Sequence, residues 1–131
     1  MELLKRYIDE IGQDLVLDDF NLKEAQMRLP ARKHYWVARL IDAKIKRNQL
    51  QTERNKLKKD VVKKVIAESP IKITPQTAEH AADNHDTIVT ITEKIKELDM
   101  IVEYLEKVEK IMSQMGYEIK NIVEIQKLEQ L

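Results

Sequence analysis

Histidine and aspartate crowd one stretch of this 131-residue chain, at His80, Asp83, His85 and Asp86. Imidazoles and carboxylates are metal ligands, but the two histidines stand five positions apart. A helix brings two imidazoles to one face at a spacing of four. No Glu-x-x-His pair occurs either, which disfavours a carboxylate-bridged dimetal bundle. The only serines, Ser69 and Ser113, have no base at a recognisable spacing, and no glycine-rich phosphate loop is present. Cysteine is absent, which removes thiolate nucleophiles, disulfides and cysteine-based metal sites together. These residues predict no catalytic centre, no metal and no cofactor, and the chain reads as a non-enzyme.

The residues that can do chemistry are cations. Arg54-Asn-Lys-Leu-Lys-Lys-Asp-Val-Val-Lys-Lys64 places Arg54, Lys56, Lys58, Lys59, Lys63 and Lys64 within eleven positions, opposed by Asp60 alone. On a helix Lys56, Lys59 and Lys63 share one side, and Leu57, Val61 and Val65 hold the other. A row of ammonium groups at that pitch can track a phosphate backbone and release counterions on binding. Between Val37 and Glu103 there is no Phe, Tyr or Trp, so nothing in the run can stack on a base. Contacts would go mainly to phosphate, tolerant of sequence and weakened by salt. An ordinary solvated helical face is the plain alternative. Tyr35-Trp36 is the one adjacent aromatic pair; in register with an apolar stripe, it reads as a core anchor and not as a stacking platform.

The run is the centre of a wider asymmetry. Residues 31–64 carry 12 basic and 3 acidic side chains, whereas residues 1–30 carry 4 and 7 and residues 65–131 carry 7 and 13. The formal net charge of zero therefore conceals a cationic middle between acidic flanks, a layout that attracts polyanions.

Helices must position these charges. Gly 2, Pro 3 and 35% charged residues describe an all-α chain of long helices. Leu3, Leu4, Tyr7, Ile8 and Ile11 mark a short helix ending near Gly12, and Asp18-Asp19 can cap a second from about Phe20 to Leu29. From about residue 31 to 67 nothing breaks the chain, and Trp36, Leu40, Ala43, Arg47, Leu50, Arg54, Leu57 and Val61 recur at spacings of four and three. Residues 68–74 form a turn, and Thr74-Pro75 is a helix start. Ile88, Ile91, Ile95, Leu98, Val102 and Leu105 repeat the pattern along a second long helix, about 75–115, that Gly116 should end. The two long stretches predict an antiparallel helical hairpin. In the last piece, 117–131, Ile119, Ile122, Val123, Ile125 and Leu128 cover more than one helical face, which argues for self-association. The expected organisation is a helical, polyanion-binding domain over 1–115 and a self-association helix over 117–131. Carboxylates interrupt the first ten residues, unlike a secretory signal, and no apolar run is long enough for a membrane span, so a soluble intracellular protein is expected.

The order and spacing of Val16-Leu17-Asp18, Leu22, Trp36, Leu57-Lys58 and Met115-Gly-Tyr-Glu-Ile-Lys-Asn-Ile122 resemble the UvsY recombination mediators of T-even-type phages over nearly the full length. The resemblance implies a homo-oligomeric ring of about six or seven subunits, closed through the C-terminal helix. It further implies binding to single-stranded DNA, displacement of single-stranded DNA-binding protein, loading of a RecA-like recombinase, and residence in the cytoplasm of the infected bacterial host. The family's basic motif is of the Leu-Lys-x-Arg type. Leu57 and Lys58 match it, no Arg follows at Lys59-Asp60, and Lys56, Lys59, Lys63 and Lys64 would share the work. The competing class is a coiled-coil adaptor or a helical holdase chaperone without nucleic-acid binding.

Overall fold

The weight of Leu, Ile, Lys and Glu over Gly and Pro produces four helices in the computed structural model, which describes residues 1–130: α1 (Glu2–Asp14), α2 (Leu22–Glu68), α3 (Pro75–Asp83) and α4 (Asp86–Glu129). Leu131 lies outside the described residues. No strand occurs among them, and no helix is long and apolar enough to cross a membrane.

The described chain forms two compact units. One holds Met1–Asp42 and the chain from Met100 onward, and the other holds Ala43–Asp99. In each, part of α2 lies antiparallel to part of α4. In the first unit Asp19 pairs with Gln126 and Leu29 adjoins Gly116. In the second, Arg47 meets Asp99 and Arg54 meets Thr92. The stripes expected from spacing form the core: Trp36, Leu40 and Ala43 on α2, and Ile88, Ile91, Ile95, Val102 and Leu105 on α4, are all buried. Along the rest of the α2 stripe burial is partial, and Arg47 and Arg54 are satisfied by polar partners on α3 and α4.

Three boundaries differ from expectation. The short helix at 20–29 is the beginning of α2, which runs straight through Pro30. Pro inside a helix costs about 3 kcal/mol, but Leu22 and Leu29 lie on the same buried stripe as Trp36. Burying two leucines is worth roughly 1.5–3 kcal/mol each, so continuity wins and Pro30 faces solvent. Asp18 does organise the entry, accepting from the Phe20 and Asn21 amides while its own amide donates to Asn21 Oδ1.

Gly116 does not end a helix; α4 continues to Glu129. No glycine has a positive φ, and the buried stripe Val108, Met112, Met115, Ile119 passes through the position. A helical glycine costs only about 1 kcal/mol, less than the burial of Ile119 returns. The C-terminal segment is thus a continuation and not a separate helix.

The helix expected over 75–115 is broken at Asn84-His85. Asn84 Nδ2 donates back to the His80 carbonyl, and His85 Nδ1 accepts the Thr87 amide. Short polar side chains that bond their own backbone compete with helix continuation in this way. The start at Thr74 is as the spacing predicts, with Thr74 Oγ1 accepting the Thr77 amide at 3.2 Å.

Candidate nucleic-acid interface

The cation run lies on α2 inside the second unit, and the structure divides it in two. Lys56, Lys59, Lys63 and Lys64 are exposed, and none of them forms an ion pair among the described residues. Lys56, Lys59 and Lys63 form the outward row, continued toward the helix start by Asn48, Thr52 and Asn55, so no carboxylate interrupts that strip. Asp60 and Glu53 sit at its margin, on the side of Lys64. The inward positions Leu57, Val61 and Val65 are half-buried, as the wheel requires.

Arg54 and Lys58 belong to the other half. They fall on the same side of α2 as Val61 and Val65, facing α3 and the start of α4. Arg54 Nε donates to Thr92 Oγ1 at 2.8 Å, and its Nη2 lies 3.3 Å from Asp83 Oδ1. Lys58 Nζ reaches the same Asp83 oxygen at 2.9 Å. The Lys58 hydrogen bond, aided by the charges of Lys58, Arg54 and His80, holds the Asp83 carboxyl below the usual carboxylate range despite some desolvation. Membership of the Val61 and Val65 side was the signal that separates these two cations from the row.

The His80–Asp86 cluster is spoken for by local structure. Asp83 holds α2, His85 caps the start of α4, and Asp86 is the first residue of α4. No group of three His, Asp or Glu among the described residues can hold a metal ion. Trp36 is the core anchor expected, 2% exposed, and Tyr35 beside it is covered by Arg32 and Arg39, whose guanidinium carbons lie 4.5 and 4.3 Å from its ring centre.

At the C-terminal end the apolar residues also divide. Ile119 is 3% exposed and buried by its own chain, Ile122 and Val123 are half-buried, and Ile125 and Leu128 are open at 55% and 69%. Ile119 is therefore packed mainly against its own chain. Tyr117, 73% exposed, shares the face of Ile125 and Leu128, a membership that spacing along the helix could have revealed. Phe20 and Met27, both exposed, line an open groove of about 660 Å³ with Ile119 and Val123. Read as part of a separate capped helix, they gave no sign of this.

The all-helical architecture has solved counterparts. The crystal structure of the bacteriophage T4 recombination mediator protein UvsY in lattice type IV superposes with a TM-score of 0.84 at 11% identity, covering 96% of this chain and 98% of that one. The lattice type II structure gives 0.83 at 10% identity, with 97% of each chain covered. A comparison with curated protein sequences finds no match. The family model described as "Recombination, repair and ssDNA binding protein UvsY" matches residues 10–130, and the chain belongs to the UvsY family.

Proposed function

We propose that this protein is a non-enzymatic recombination mediator that binds single-stranded DNA through its phosphates, without regard to sequence. The observation that carries the reading is the row of Lys56, Lys59 and Lys63, with Lys64 beside it: exposed, unpaired among the described residues, and in a stretch, from Val37 to Glu103, without an aromatic side chain to read a base. Four such contacts bind weakly at physiological salt, and each contributes a log–log salt slope of about −0.7. A homo-oligomeric ring of about six or seven copies repeats the row, so that one strand touches several subunits and gains avidity without new contacts. Ile122, Val123, Ile125 and Leu128 supply the self-association face, joined by Tyr117. Holding a strand by its backbone leaves the bases open for a RecA-like recombinase to take over while single-stranded DNA-binding protein is displaced, in the cytoplasm of the infected host.

The test is retention of a labelled oligothymidylate across a NaCl series. Changing Lys56, Lys59 and Lys63 to Ala should flatten the slope by about 2 and weaken binding, with helicity and particle mass unchanged. Parental binding by the triple variant would reduce the row to a solvated face and favour the adaptor or holdase alternative.

A further inference from the structure

Arg54 and Lys58 stand one turn apart on α2 and converge on one oxygen, Oδ1 of Asp83, at 3.3 and 2.9 Å. Asp83 is the last residue of α3. The end of a helix carries the negative pole of its dipole, so α3 itself disfavours a carboxylate there. What holds the charge in place is the pair of cations from α2. The cluster remains open to solvent, with side-chain exposures of 20% for Arg54, 25% for Lys58 and 44% for Asp83. Two positive charges thus face one negative charge at the surface, on the helix that carries the lysine row, with Lys58 adjacent to Lys59 in sequence.

A phosphodiester offers the same things as the Asp83 carboxylate: one negative charge and oxygens that accept from a guanidinium and an ammonium. We propose that Asp83 is an internal substitute for a strand phosphate. It occupies Arg54 and Lys58 while no nucleic acid is bound and gives way to a phosphodiester when a strand crosses α2 from the lysine row to the side that faces α3. This rests on the reading of α2 as the strand-binding helix. Exchanging a carboxylate for a phosphate gains far less than filling an empty cation pair, so Asp83 keeps each subunit's grip below what its six cations would otherwise deliver. A ring can then hold a strand by many weak, individually reversible contacts.

The experiment measures oligothymidylate affinity against NaCl for the full-length parent, Asp83→Asn, Asp83→Glu, and Lys58→Met in the parental and Asp83→Asn backgrounds, with particle mass and helicity recorded for each. Freed from the carboxylate, two more cations become available. Asp83→Asn should bind roughly 10-fold tighter at about 0.1 M salt, with a slope steeper by about 1.4. Asp83→Glu should restore parental behaviour. Lys58→Met should cost more affinity in the Asp83→Asn background than in the parent. In the parental background, Lys59→Met should cost more than Lys58→Met, a comparison that stands even if Asp83→Asn fails to fold. Unchanged affinity and slope in Asp83→Asn, with the parent binding normally, would make Asp83 a structural clasp and overturn the inference alone. Absence of salt-dependent binding by the parent would overturn the reading of α2 and the inference with it.

Discussion

Asp14 and Trp36 are joined across 22 residues by the indole N–H, which donates to Asp14 Oδ2 at 2.8 Å. The same oxygen receives Nε and Nη2 of Arg32, at 2.9 and 2.8 Å. Trp36 meets Tyr7 of α1 edge-on, with ring centres 5.3 Å apart. Since Ile11 is the one buried residue of α1, this knot of indole, carboxylate and guanidinium is much of what docks α1 onto α2.

Removing the acceptor should therefore loosen α1. Asp14→Ala leaves a buried indole donor unsatisfied and should cost about 1–3 kcal/mol in urea unfolding. Asp14→Asn keeps an acceptor for the indole and loses only the ion pair, so its cost should be smaller. Equal stability of Asp14→Ala and the parent would mean that the hydrogen bond does not form in solution.

Both glycines lie inside helices at ordinary helical φ. A Cβ on Gly12 would meet nothing within 4 Å, and on Gly116 it would rest 3.6 Å from Leu29 Cδ2, an ordinary apolar contact. Gly12→Ala and Gly116→Ala should each stabilise the protein by about 0.5–1 kcal/mol. A loss on Gly116→Ala would contradict the continuity of α4 through that position.

The divided C-terminal stripe predicts a divided response. Ile119→Ala removes buried volume and should cost about 2–4 kcal/mol of stability. Ile125→Asp with Leu128→Asp should leave helicity intact and lower the particle mass measured by light scattering, because their side chains are open in the single chain. Unchanged mass would take these two residues out of the self-association face.

Asp83 also makes stability depend on pH. Its folded carboxyl titrates below the ordinary range, first because of the Lys58 hydrogen bond. The clasp is fully present above the unfolded carboxylate value of about 4 and is lost as pH falls through the lower folded value. The stability difference between parent and Asp83→Asn should therefore be constant at neutral pH and shrink on acidification below about pH 4. A difference that grows in acid would reverse the assignment.

Much of this was legible in spacing alone. The stripe from Ile88 to Leu105 and the Trp36 anchor follow from steps of three and four, because burial on one helical face is what such steps encode. Punctuation misled where local cost met a larger burial gain. Pro30 and Gly116 both look like helix ends, yet each lies in a helix whose buried stripe, Leu22, Leu29 and Trp36 in one case and Met112, Met115 and Ile119 in the other, returns more than the local penalty. The opposite error arose at Asn84-His85, where a helix was expected to continue and side-chain bonds to the backbone stopped it. Among the cations, residue type gave six candidates, but only their angular position relative to Val61 and Val65 tells that Arg54 and Lys58 face inward. That Asp83 waits for them on another helix is tertiary information, invisible to any local pattern.

Pro30 has one more effect, on motion. Lacking an N–H, it gives the Gln26 carbonyl no helical donor, so the ladder of α2 is missing a rung two turns from its start. Opening the stretch from Leu22 to Leu29 breaks fewer bonds than opening an equal length further along. Amide hydrogens there should exchange sooner than those beyond the proline. The end of α2 that bears Met27, with Phe20 in the turn before it, can then reshape against whatever covers it, while the segment beyond, with its lysines, stays wound.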